Sequence, residues 1–143
     1  MALFPSDEWM SIYRERINAS ADYREAAATW EGAVAFVFEA EPDNGVPEDL
    51  WAVLDLWHGE CRDAKMIPAG DGVAPYVIRA PYSRWKEVLR GDLDPVKGMM
   101  QGKLKVQGDL AMIVRYVRAA NELVHLTMQV PTRFLDERPP ASV

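Results

Sequence analysis

At 143 residues the chain suits one domain, which at this size buries roughly 68–70% of its unfolded surface and needs no staple. Sixteen Lys and Arg stand against 22 Asp and Glu, a net charge of −6 with a pI near 4.9, which argues against a nucleic-acid surface or a strongly basic membrane patch. The lone cysteine, Cys61, excludes an internal disulfide, and no Cys/His ladder has zinc spacing.

The first predicted element is a helix. Ser6 precedes Asp7 and Glu8, which gives a cap and two acids at the positive end of a helix dipole, and Trp9, Ile12, Tyr13 and Ile17 repeat at helical spacing. Asn18-Ala19-Ser20 interrupts it. Ser20 then caps a second piece carrying Tyr23, Ala26, Ala27 and Trp30, with Gly32 expected to end it. Ala33 to Ala40 is apolar on both alternating faces and reads as a well-covered strand, followed by the turn-rich Glu41-Pro42-Asp43-Asn44-Gly45. Leu50 to His58 is a second strand, with Trp51, Val53, Asp55 and Trp57 on one face and Leu50, Ala52, Leu54 and Leu56 on the other. Gly59-Glu60 reverses the chain into Cys61–Ile67, whose Arg62, Asp63 and Lys65 suggest a solvated edge strand. A loop holding Pro68, Gly70 and Gly72 leads to a fourth strand, Tyr76 to Ala80.

Pro81 starts a helix with Trp85, Val88 and Leu89 on its inner face, and Gly91 closes it. Asp94-Pro95 opens a short helix in which Val96, Met99 and Met100 share a face, and Gly102 supplies the left-handed backbone that ends it. Lys103, Lys105 and Gln107 then alternate with Leu104 and Val106 as a half-buried strand. Gly108 and Asp109 turn into a long last helix whose polar residues form one narrow stripe: Arg115, Arg118, Glu122, His125 and Gln129. Leu110, Ile113, Val114, Val117 and Val124 make one apolar row, and Met112, Tyr116, Ala119, Ala120 and Leu123 a second. That arc is wider than a surface helix needs, so a deeper core, a partner subunit or a ligand pocket must cover the surplus. The order of elements predicts an α+β sandwich, one sheet covered on one side by helices. Residues 1–130 are read as a single domain and 131–143 as a C-terminal tail, of which DERPPASV looks loose.

The stretch Gly91–Asp109, GDLDPVKGMMQGKLKVQGD, resembles the sterol carrier protein type-2 family. The residues that carry the likeness are Gly91, Asp94, Pro95, Met99, Met100, Gly102, Lys103, Leu104, Lys105, Val106, Gln107 and Gly108. Trp9, Tyr13, Asn18 and Tyr23 extend it in the manner of small prokaryotic members, so that it covers the chain to about Val130. The resemblance implies a five-stranded, mostly antiparallel sheet with helices over one face, and an apolar tunnel that holds a fatty acyl chain, sterol or similar lipid. It implies no shared catalytic residues. Carried over, Met99, Met100, Leu104, Leu110, Ile113, Val114 and Val117 line or cap that tunnel. Trp85 and Leu89 are added from the helix before it, and Phe36, Phe38 and Val53 from the sheet. The long aromatic first helix, the extended final helix and a C-terminus without a peroxisomal tripeptide depart from the eukaryotic carriers.

Other constellations carry less chemistry. His58, Glu60, Cys61 and Asp63 lie within six residues, but the pair flanking the turn and the pair expected on one strand face do not converge on an ion. Asp94 is explained by its cap, His125 sits on the wet stripe, and no serine lies in a nucleophile elbow. The Met-rich set of Met99, Met100, Met112 and Met128 is either a pliable lipid wall or ordinary core. Lys103 and Lys105 are either a headgroup attractor at the tunnel mouth or the solvated side of a strand. The expected function is noncatalytic binding and transfer of a hydrophobic ligand, such as a fatty acid, fatty acyl-CoA or sterol-like lipid, with no cofactor and no metal. The alternatives are an enzyme on an apolar substrate using Asp55, His58 or Tyr76, and a dimerisation module built on the last helix. The expected partner is an apolar small molecule, with a homodimer as the other candidate and neither nucleic acid nor stable membrane insertion. MALFPSDEWM lacks the pattern of a signal peptide, and no apolar run spans a bilayer, so a cytoplasmic location is expected.

Overall fold

The computed structural model describes residues 1–68 and 74–137. The loop glycines Gly70 and Gly72, and the chain from Arg138 onward, lie outside the described residues. A short strand, β1 (Ala2–Phe4), precedes α1 (Asp7–Ala19) and α2 (Ala21–Ala26). Both helices start where a serine side chain accepts a backbone N–H: Ser6 from Trp9 and Ser20 from Tyr23. The second helix stops at Ala26, short of the expected Gly32, and beyond it the Trp30 indole donates to the Gly32 carbonyl at 2.8 Å.

The sheet is built from β2 (Val34–Glu39), β3 (Leu50–Trp57), β4 (Glu60–Ile67), β5 (Tyr76–Pro81) and, after two helices, β6 (Lys105–Gln107). Its order is β4-β3-β2-β5-β6, with β2 and β5 parallel and the other pairs antiparallel. Residues directly opposite in register share a face. Phe36 pairs with Ala52 and Ile78, so Val34, Phe36, Phe38, Ala52, Leu54, Leu56 and Ile78 face the helices. Val53 pairs with Ala35 and belongs to the opposite face, where Ala35, Val37 and Val77 are buried with Trp51 and Ala74 against them.

Helices α3 (Tyr82–Leu89), α4 (Pro95–Met100), α5 (Leu110–Arg115) and α6 (Val117–Thr127) complete the cover. Asp94 caps α4 through the Lys97 N–H, and Gly102 turns with φ 75°, as its sequence context requires. The expected single last helix is two. Tyr116, at φ −103° and ψ 33°, breaks it between α5 and α6, and α6 packs on α1, α2, α3 and α4. Among the described residues no helix is long and apolar enough to cross a membrane.

The beginning of the expected tail is folded. Strand β7 (Thr132–Phe134) pairs parallel with β1, and Phe134 is buried. The Tyr82 hydroxyl donates to the Phe4 carbonyl at 2.6 Å and accepts from the Leu135 N–H at 3.0 Å, joining the two ends of the described chain. Ala2-Leu3-Phe4 is apolar at every position and shows no alternation, so this pair leaves no strand signal in the sequence.

Helix α1 also closes the β4 edge. The Asn18 side chain accepts from the Cys61 N–H at 2.8 Å and donates to the Cys61 carbonyl at 2.9 Å, copying a strand's hydrogen-bond pair. At the far end of β4, Asp7 accepts from the Met66 N–H at 2.8 Å. An unpaired edge is thereby occupied by side chains of the helix packed beside it. Replacing Asn18 with Ala leaves the Cys61 N–H without its partner, while the carbonyl keeps the Arg14 guanidinium at 3.1 Å, and we expect a loss of about 1–3 kcal/mol in urea unfolding. An unchanged midpoint would show that the edge does not depend on this contact.

Candidate functional site

Between the inner sheet face and α6 lies a cavity of about 120 Å³. Its floor is Val34, Phe36, Phe38, Leu56 and Ile78; its roof is Ala119, Ala120, Leu123, Val124 and Thr127 of α6. Trp9, Met10, Tyr13 and Tyr23 close one side, and Trp85, Val88, Leu89, Pro95, Met99 and Leu104 the other. Trp30 and Tyr116, 5.0 Å apart and edge to face, also line it. Phe4, which meets Trp9 and Phe38 edge to face, contributes from β1.

Most polar side-chain atoms of the wall are occupied by protein, the Tyr23 hydroxyl being the exception among the described residues. Tyr13 donates to the Leu123 carbonyl at 2.7 Å, Thr127 to the Val124 carbonyl at 2.5 Å, and Tyr116 shares a 2.9 Å bond with Thr29. The indoles of Trp9 and Trp85 donate to Thr132 Oγ1 and the Val37 carbonyl. A guest in this space therefore meets hydrocarbon and aromatic faces, and few groups that could recognise a polar head.

Seven of the residues expected from the sequence come together here: Phe36, Phe38, Trp85, Leu89, Met99, Leu104 and Ile113. Five do not. Val53 lies on the other face of the sheet, and Leu110 is half-buried against the core without reaching the cavity. Met100, Val114 and Val117 point outward, with relative exposures of 68%, 38% and 40%. The break at Tyr116 leaves Tyr116, Ala120, Leu123, Val124 and Thr127 as the inner row of α6, so that Val124 faces the cavity and Val117, from the same expected row, does not. That row is readable at spacings of three and four, but its alanines and threonine look less like a ligand wall than valines do. The aromatics of α1 and α2 read in the sequence as core, and β1 gives no sign there at all.

The acid–base candidates lie elsewhere. Asp55 is held on the outer face by Arg62 at 3.0 Å, and His58 is exposed with Glu31 at 2.6 Å. Tyr76 packs against Trp30 but does not line the cavity. Cys61 and Asp63 do not share a face as expected, because the register shifts at a bulge: Leu56 opposes Cys61 while Asp55 opposes Asp63, leaving Arg62 unpaired between them.

The family model described as the SCP-2 sterol transfer family matches residues 13–121. The chain belongs to that family. Two solved structures are 40% identical with TM-scores of 0.82: a crystal structure of sterol carrier protein 2, covering 87% of this chain and 97% of its own, and a conserved hypothetical protein from Thermus thermophilus, suggested to be a sterol carrier protein, covering 90% of each. The apo sterol carrier protein 2 of Yarrowia lipolytica shares the fold at 16% identity and a TM-score of 0.57, covering 82% of this chain and 88% of its own. Among curated proteins, none matches the sequence. Within this SCP-2 member, then, the five-stranded mixed sheet and its helical cover are those of the family, and the cavity lies between them.

Burial keeps the interior neutral. It raises the Tyr13 and Tyr23 hydroxyls well above the usual tyrosine value, with Coulombic repulsion from Cys61 adding to both. It pushes the Cys61 thiol, beneath α1, up to about 12, against a smaller lowering by Arg14. The folded state thus holds its Cys61 proton where the unfolded chain has lost it, so this stabilisation is whole below about pH 9 and disappears as pH rises towards 12. We expect the urea midpoint to fall over that window, less steeply in Cys61→Ala. A thiol that reacts readily with a disulfide reagent in the native protein near neutral pH would contradict this burial.

Proposed function

We propose that this protein is a noncatalytic carrier that binds a hydrophobic ligand and transfers it between donors and acceptors. The observation that carries the reading is the apolar cavity between sheet and α6, whose wall turns most of its hydrogen-bonding groups to protein partners. Kinship with the SCP-2 sterol transfer family and 40% identity to a sterol carrier protein 2 structure support it independently. The lone buried cysteine suits a reducing compartment such as the cytoplasm.

Size selects among the lipids. An apolar hole on the order of 150 Å³ takes one benzene-sized group. At about 120 Å³ the cavity holds only a short piece of an alkyl chain. A longer guest widens the space into a tunnel, and α5 is the element suited to yield. It has six residues, only Ile113 of them buried, and it is set off from α6 by the break at Tyr116. A flexible fatty acid or fatty acyl-CoA enters such a space one segment at a time, whereas a rigid fused-ring sterol demands the full opening at once. We therefore place acyl chains ahead of sterols.

Affinity in such a site comes from desolvation, at about 0.8 kcal/mol per buried methylene, or roughly fourfold per carbon. Titrating delipidated protein with fatty acids of increasing length should give dissociation constants that fall steeply and then level off where the tunnel is full. Replacing the carboxylate by an alcohol should change them far less. A flat response across chain lengths, or affinity governed by the head, contradicts the proposal.

A further inference from the structure

Of the wall side chains that carry a nitrogen or oxygen, Trp9, Tyr13, Trp30, Trp85, Tyr116 and Thr127 each have a protein partner. Tyr23 has none among the described residues, although it is only 1% exposed. The polar side-chain atoms wholly enclosed without a partner there are Arg79 Nε and Arg133 Nε. The Tyr23 oxygen therefore touches open space, and the space that Tyr23 borders is the cavity. The groups that interact with it electrostatically are committed elsewhere: Tyr13 donates to the Leu123 carbonyl at 2.7 Å, and the Cys61 thiol to the Asp63 carbonyl at 3.3 Å.

An unpaired hydroxyl is costly in hydrocarbon surroundings, and phenylalanine would fill the same place without it. The backbone holds the group where it is. The Tyr23 N–H donates to Ser20 Oγ at 3.0 Å and the Tyr23 carbonyl accepts the Ala27 N–H at 2.8 Å, which fixes the root of the side chain in the first turn of α2. Burial, with repulsion from Cys61, keeps the phenol proton well above the ordinary tyrosine value, so the group stays neutral and has an O–H to donate. Among the described residues no charged side chain lines the cavity. A carboxylate drawn to Tyr23 would be a buried charge with one hydrogen bond, whereas a carbonyl or hydroxyl oxygen needs no counter-ion.

We infer that Tyr23 selects guests whose hydrocarbon chain carries one uncharged oxygen, a keto or hydroxyl group, where the chain passes the start of α2. The Tyr23 hydroxyl donates to that oxygen, and a charged head stays outside. A cavity of about 120 Å³ receives only a short segment of chain, so the position of the oxygen along the chain decides whether the bond forms. This deepens the carrier reading, on which it rests: chain length sets the overall affinity, and Tyr23 ranks chains of equal length.

The test is displacement of a fluorescent fatty acid from the full chain by stearate and by two sets of its positional isomers, one with a single keto group and one with a single hydroxyl at successive carbons. In the wild type, affinity should peak at one position, the same in both sets, with other isomers about fivefold or more weaker because their oxygen is buried unpaired. Tyr23→Phe should remove the peak, weakening the matched isomer about fivefold or more while leaving stearate within about twofold. The infrared carbonyl stretch of the matched keto isomer, isotope-labelled at that carbon and bound to the wild type, should lie below its value in hexane and return towards it in Tyr23→Phe. A wild-type stretch at the hexane value would overturn the inference without recourse to the variant. So would stearate binding with a flat isomer profile, a peak that survives in Tyr23→Phe, or a peak in the hydroxyl set alone, which would make Tyr23 an acceptor; each of these leaves the carrier reading intact. Failure of stearate and of every isomer to bind would overturn the carrier reading and this inference with it.

Discussion

Unequal side chains on two packed surfaces govern this molecule. The sheet offers Phe36, Phe38 and Ile78 upward, and α6 answers with Ala119 and Ala120. Protein interiors normally close such a mismatch by bringing the elements together. Here α6 is held off by its contacts with α1, α2, α3 and α4 and by the aromatic supports Trp9, Tyr13, Trp30 and Trp85 around its edges. A hydrocarbon guest in that space gains its own desolvation and packs against both surfaces.

The supports are themselves tied down by polar contacts outside the cavity. Trp9 is anchored to Thr132, and Trp85 to the backbone of β2. Tyr82 bonds to Phe4 on one side and Leu135 on the other, so the β1–β7 pair is fastened to α3 at the Phe4 end of the cavity. Asn18 and Asp7 fix α1 along the outer strand of the sheet. Rigidity of this kind surrounds three sides of the hollow. The fourth carries α5 and the Tyr116 break, where burial is slight, and local opening is favoured where few apolar contacts must be given up.

Much of this was legible in the residues. Caps at Ser6, Ser20 and Asp94, the glycine turn at Gly102 and the alternation in β2, β3 and β6 gave the elements and their order, because each is a local signal. The stretch from Gly91 to Asp109 gave the family. What stayed hidden depends on register and on phase. Val53 and Phe36 both belong to large-residue rows, but antiparallel pairing opposes Phe36 with Ala52 and sends Val53 to the other face. The bulge at Arg62 separates Cys61 from Asp63, and no propensity marks it. The break at Tyr116 turns Val114 and Val117 outward, leaving an inner row that includes alanines. Carrying Val114 and Val117 over from the family likeness names residues that face outward here, while the hollow is bounded on α6 in part by small residues.

The account rests on hydrocarbon entering between sheet and α6, and proton–proton contacts read this directly. In isotope-filtered nuclear Overhauser spectra of the protein with bound palmitate, the chain methylenes should report on the side chains of Met99, Leu104, Ile113 and Ala120. Contacts confined to Met100, Val114 and Val117, on the outward side of the same elements, would place the lipid on the surface and contradict an interior site.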